Sequence, residues 1–88
     1  MSGEPIDALI LHPEDHVASV LRDIAAEEQV TLSSGGLVRA NTLIPLGHKI
    51  AICNVPAGGR LKKYGAVIGE TTAAICTGDH VHLHNLTG

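Results

Sequence analysis

Ten glycines and four prolines divide these 88 residues into short pieces. Ser33-Ser34-Gly35-Gly36, Pro56-Ala57-Gly58-Gly59, Gly69 and Gly78 each read as a bend, because glycine reaches positive φ freely and proline holds φ in one narrow range. Between these breaks there is room for strands of a few residues and for little continuous helix. Ile6–Leu11 (IDALIL), Gln29–Leu32, His48–Cys53 (HKIAIC), Leu61–Val67 around Gly65, and Asp79–Leu86 (DHVHLHNL) read as strands. The stretch from Leu37 to Pro45 fits neither period. One segment carries helical spacing. Val17, Val20, Leu21 and Ile24 fall at i, i+3, i+4 and i+7, and Asp15 can cap free backbone donors ahead of them. A short helix over Asp15–Ala26 is therefore predicted, with Val20 and Leu21 facing the core and Glu27 and Glu28 in solvent. No internal repeat and no linker is visible. The expectation is one mostly β domain over residues 1–88, compact and irregular, with one short helix.

Tyr64 is the only aromatic residue, so the core must be aliphatic, and Tyr64 itself reads as a plug within it. The net charge is −3 without a basic stripe, which argues against nucleic acid as a partner. The N-terminal MSGEPIDALIL has no basic region ahead of its apolar run, and no apolar run is long enough to span a membrane. Cys53 and Cys76 lack paired spacing and sit in apolar settings, as expected of buried free thiols. A cytoplasmic location is the corresponding expectation.

The chemistry concentrates in Asp79-His80-Val81-His82-Leu83-His84-Asn85. On a strand, His80, His82 and His84 would line one face while Val81 and Leu83 point to the core. Adjacent same-face positions lie about 6.6–7 Å apart, so two of them share one metal ion only with favourable rotamers, and a third ligand has to come from elsewhere, such as His48 or another chain. Imidazoles can also move protons or hydrogen-bond sugar hydroxyls. Gly47-His48-Lys49 places a histidine and a lysine at a strand start, and Lys62-Lys63-Tyr64-Gly65 adds further positive charge. His12 and His16 flank the segment that Asp15 caps. No nucleophile–histidine–acid order, no phosphate loop and no paired-cysteine metal site is present. The visible machinery is incomplete, as in a subunit.

Taken in order, Pro13-Glu14-Asp15-His16-Val17-Ala18, Gly47-His48-Lys49-Ile50-Ala51, Lys63-Tyr64-Gly65, Ile68-Gly69 and Gly78-Asp79-His80-Val81-His82-Leu83-His84-Asn85 resemble the SAF domain of the altronate and galactarate dehydratases. They resemble equally the freestanding small subunits of that family, including the alpha subunit of sulfolactate sulfo-lyase. His16 stands where the family usually carries asparagine. The resemblance implies a β-clip, antifreeze-like fold. It implies a hydro-lyase acting on a sugar acid or a related hydroxy acid such as sulfolactate, with a divalent metal, Fe2+ or Mn2+, held mainly by a large partner chain or C-terminal domain. On that reading the chain is inactive alone. His82, His84 and Asn85 are the candidate catalytic residues, His82 and His84 the candidate metal ligands, and His48, Lys49 and Lys63 the candidate substrate-binding residues. A homo-oligomer is compatible with it. The competing expectation is a non-catalytic β-clip module that binds carbohydrate or protein.

Overall fold

A computed structural model describes residues 5–87; residues 1–4, where the N-terminal reading begins, and residue 88 lie outside them. Nine strands run through the described residues: β1 (Ala8–Leu9), β2 (Val17–Val20), β3 (Gln29–Thr31), β4 (Leu37–Arg39), β5 (Lys49–Ala51), β6 (Arg60–Lys63), β7 (Ala66–Thr71), β8 (His80–Val81) and β9 (Leu86–Thr87). A central antiparallel sheet has the order β1-β2-β5-β8, β3 and β4 form a hairpin, and β6-β7-β9 form a third sheet.

Both faces of the central sheet are covered. Ala18 pairs with Ile50, and Val17 with Ala51. Successive residues on a strand point to opposite faces, so the two pairs enter different cores. Ala18, Val20 and Ile50 join Ile24, Val30 and Ile44 in a first core against the β3–β4 hairpin. Val17, Ala51 and Val81 join Val55, Leu61 and Ile75 in a second. Each core is aliphatic, in keeping with the composition.

The helix predicted over Asp15–Ala26 is absent, and the described residues hold no α-helix. Val17, Val20 and Ile24 are buried as expected, but on a strand and a following turn, while Leu21 is 51% exposed. A strand buried on both faces loses the polar–apolar alternation that marks it. A helix of that length is marginal without tertiary support, and here β1 and β5 offer the segment two sheet partners instead.

A structural repeat runs through the chain, where none was expected. Four five-residue turns, 24–28, 44–48, 55–59 and 75–79, each start on a buried aliphatic: Ile24, Ile44, Val55 and Ile75. Each closes with an N–H of the fifth residue donating to the carbonyl of the second: Glu28 to Ala25 (3.1 Å), His48 to Pro45 (3.0 Å), Gly59 to Pro56 (3.0 Å) and Asp79 to Cys76 (2.9 Å). The fourth residue has positive φ each time: Glu27 (70°), Gly47 (85°), Gly58 (77°) and Gly78 (94°). That is the left-handed position of a type II turn. The turns associate in pairs through backbone bridges, Ile24 with Ile44 and Val55 with Ile75. In each pair a side chain ahead of one turn accepts an amide of the other: Asp23 from Leu46 (2.7 Å) and Asn54 from Thr77 (2.9 Å). The copies share a left-handed residue and two buried aliphatics, the second being Val30, Ile50, Leu61 and Val81.

Four smaller expectations change. Leu61–Val67 is not one extended run: Tyr64 (φ 58°) and Gly65 (φ 72°) form the two-residue turn of the β6–β7 hairpin. Tyr64 is therefore no core plug; it is 66% exposed, with the Lys63 ammonium 5.2 Å from its ring centre. Gly69 lies within β7 rather than at a bend, and a Cβ there would run into the Thr87 carbonyl of β9. Both cysteines are free, but Cys76 is exposed and only Cys53 is partly buried, which pushes its thiol pKa up.

Candidate functional site

The segment Asp79–Leu86 is broken rather than one strand. β8 ends at Val81, residues 82–85 turn, and β9 begins at Leu86. Val81 is fully buried as expected, but Leu83, expected in the core, is 82% exposed at the tip of the turn. Asn85 causes the break. Its side-chain oxygen accepts the His82 amide and its Nδ2 donates to the His80 carbonyl, both at 2.9 Å, and its own N–H donates to the His82 carbonyl at 3.1 Å. A polar side chain buried to this degree must bond inside the protein; here it closes the turn and uses both of its polar atoms on the backbone.

The turn brings histidines together that a straight strand would hold apart. Ile50 pairs with His80 across β5–β8, so His80 lies on the first core's side of the sheet, as does His48 two residues before Ile50. His48 Nδ1 lies 2.8 Å from His80 Nε2, a hydrogen bond in which one nitrogen carries the proton. The His82 ring stacks on His48 at 4.2 Å between centroids and on His80 at 5.6 Å. One ring nitrogen from each of the three lies within 4.8 Å of the others. His84 is exposed and tilts against His80 at 5.1 Å, outside that trio. Burial, and then the neighbouring His48, His84, His82 and Lys49, hold the His80 imidazole below its ordinary pKa. Burial, with His48 and Lys49, does the same at His82. Both shifts favour the neutral ring.

The other candidates divide. His48 belongs to the cluster. Lys49 pairs with Val81 across the sheet and so points to the opposite, second-core side. There it is half-buried, and burial together with Lys63 of β6 lowers its pKa. Lys49 and Lys63 thus form a second positive locus across the sheet from the imidazoles. His80, which was not among the candidate catalytic, metal or substrate-binding residues, is central. The signal in the sequence was its place two residues after the turn glycine Gly78; its position opposite Ile50 comes only from the sheet. His12 and His16 serve the backbone: His12 Nδ1 accepts the Glu14 amide at 3.1 Å and His16 Nδ1 accepts the Lys62 amide at 2.9 Å. Asp79 sets up the entry to β8, accepting from the Cys76 amide and from Asn41 Nδ2, each at 2.8 Å.

The family model for the altronate/galactarate dehydratase SAF domain matches residues 6–88. The chain belongs to this family. Altronate dehydratase of Bacillus subtilis is 35% identical over 75 residues, 85% of this chain, and altronate dehydratase of Escherichia coli is 36% identical over the same length. In both cases the match covers 15% of the relative, so this SAF chain spans a small part of those enzymes. The (2R)-sulfolactate sulfo-lyase subunit alpha of Chromohalobacter salexigens is 42% identical over 43 residues, 49% of this chain and 46% of that subunit. Sequence similar to this chain thus occurs both inside a long dehydratase chain and, over about half of this chain, in a sulfo-lyase subunit alpha. The all-strand architecture is the small β-clip that this family implies, without the helix expected from residue spacing.

Proposed function

We propose that this SAF domain is the small component of a hydro-lyase for a sugar acid or a related hydroxy acid, working in the cytoplasm with a large dehydratase chain or domain. The observation that carries the reading is the convergence of His48, His80 and His82 at one edge of a domain whose relatives are dehydratases and a sulfo-lyase subunit. The reaction class removes the proton α to a carboxylate and expels a leaving group from the β carbon. A divalent metal, Fe2+ or Mn2+ held mainly by the partner, would stabilise the charge developing on the substrate carboxylate.

This chain's own residues would serve substrate and proton handling. The imidazoles of His82 and His84 can accept a proton or hydrogen-bond a hydroxyl. His48 sits beside them, and Lys49 and Lys63 supply point charges that attract a carboxylate. Asn85 would act through the turn it closes, keeping His80 and His82 in place.

The test is reconstitution. The chain alone should turn over neither altronate, galactarate nor sulfolactate, and co-expression with a large dehydratase chain of this family should restore turnover of one of them. His82→Ala and His84→Ala should fold normally and reduce that turnover at least tenfold. Full turnover by the isolated chain, or unchanged turnover in both variants, rejects this role for the domain.

A further inference from the structure

We propose that His48, His80 and His82 form a metal site of the domain's own, which takes one first-row dication on three imidazole nitrogens and leaves a coordination position open to a carboxylate or hydroxide. This goes beyond the lyase reading, in which the metal is held mainly by the partner, and it stands or falls separately.

The three donors come from three backbone environments, each held independently of any ion. The His48 amide closes its turn on Pro45, and its carbonyl accepts the Val20 amide of β2, both at 3.0 Å. His80 is in register with Ile50, the fully buried centre of the sheet. His82 is tied at both its N–H and its carbonyl to Asn85. The backbone of the site is therefore assembled by the fold, and side-chain rotation is the ordering left for an ion to impose.

Distances favour a shared ion. With metal–nitrogen bonds of about 2.1 Å, tetrahedral ligands stand roughly 3.4 Å apart. The ring nitrogens lie between 2.8 Å, the His48–His80 contact, and 4.8 Å, the outer bound of the trio. The required separation falls inside that range. The rings now stack, with 9° between the planes of His80 and His82 and 20° between His48 and His82, so their lone pairs run side by side. Rotation of the His82 side chain would aim it at the His48–His80 pair. His82 is only partly buried, on a turn, which leaves room for that rotation. No proton need leave: the one in the His48–His80 hydrogen bond moves to the other nitrogen of its ring as the lone pair turns to the ion.

Donor chemistry selects the ion. Imidazoles suit zinc, copper, iron, cobalt and nickel, while calcium and magnesium seek oxygen. No carboxylate belongs to the trio, so a bound dication keeps its full charge. That charge, on a half-exposed face, draws an anion into the remaining position. Three protein ligands with one open position is the arrangement of reactive rather than structural zinc sites.

The experiment uses the 88-residue chain without a polyhistidine tag, stripped by chelator and titrated with Zn2+ and Co2+ by calorimetry. Co2+ is also followed by its visible absorption, and Zn2+ by the imidazole resonances in NMR. The expected result is one ion per chain, intense tetrahedral-type Co2+ bands that change when acetate is added, and shifts confined to the His48, His80 and His82 rings. Replacing a second-shell group at a metal site commonly costs 10–100-fold in affinity, so His48→Ala, His80→Ala and His82→Ala should each cost at least about 100-fold. His84→Ala and His12→Ala should leave affinity unchanged. Absence of stoichiometric binding, affinity that survives His80→Ala and His82→Ala, or ring shifts centred on His12 and His16 would overturn the site. The NMR reading on the unaltered chain decides the matter even where an alanine variant does not fold.

Discussion

Asp15 accepts the Tyr64 amide at 3.0 Å and the Gly65 amide at 2.8 Å, and is 5% exposed. Burial alone would raise its pKa, but the bonds from Gly65 and Tyr64, with the nearby His12, hold it below the ordinary carboxylate range. Asp7 is lowered as well, chiefly by the Thr31 amide, against burial, and by Arg22. A carboxylate whose folded pKa is depressed contributes stability in full above its unfolded pKa, about 3.9 for aspartate, and loses it as pH falls through the folded value. Stability should therefore be flat from neutral pH down to about 5 as far as these groups are concerned, and decline below about pH 4. In Asp15→Asn that acid decline should be smaller. The same variant should lose about 1–3 kcal/mol at pH 7, since one buried amide then faces a donor instead of an acceptor; chemical denaturation at the two pH values reads both effects. Asn85→Ala leaves the His82 amide and His80 carbonyl without partners and should cost about 1–3 kcal/mol on the same scale. That a carboxylate at position 15 caps something was legible in the sequence. What it caps lies 50 residues away, beyond the reach of local spacing.

At the scale of elements, the four turns make a ranked prediction. Three carry glycine at the left-handed position, and the first carries Glu27. A non-glycine residue there costs roughly 1–2 kcal/mol, while glycine's extra unfolded-state freedom costs roughly 0.5–1 kcal/mol. Glu27 offers only an exposed 3.7 Å ion pair with Arg39 in return, the kind of contact that contributes little. Glu27→Gly should therefore raise stability by about 0.5 kcal/mol. In the other direction, Gly47→Ala and Gly58→Ala each put a Cβ into open space and suffer only the backbone strain, about 1 kcal/mol. Gly78→Ala should cost clearly more, because its Cβ would run into the Arg39 carbonyl. Melting curves for the four variants should fall in that order; equal losses for Gly58→Ala and Gly78→Ala would contradict the packing of the last turn. The turn glycines were legible as punctuation. Glu27 was not, since nothing in its chemistry announces a positive φ.

For the molecule as a whole, the central sheet is the shared wall of two cores, so neither core can loosen alone. Ile24→Ala in the first and Ile75→Ala in the second should each cost about 2–5 kcal/mol, within a single cooperative transition. Separate transitions detected by backbone and tertiary probes would show the cores to be independent. Leu21→Ala should stay within about 0.5 kcal/mol, as for an ordinary surface change. Val81→Asp should abolish folding by burying an unpaired charge, whereas Leu83→Asp should leave the isolated chain folded.

The residues of this chain settled its β class, its aliphatic core, most of its bends and the chemistry concentrated between His80 and Asn85. Those features follow from side-chain volume, glycine and proline geometry and the identity of the ionisable groups, all local. The strand at Val17–Val20, the turn at 82–85 and the meeting of His48 with His80 and His82 were decided by tertiary structure. A segment buried on both faces shows no period to distinguish helix from strand, and Asn85 bends its neighbours only where its side chain is shut away from water. Histidines 32 residues apart become neighbours because β5 and β8 pair. That register is set by the two cores on either side of the sheet and by no property of the histidines themselves.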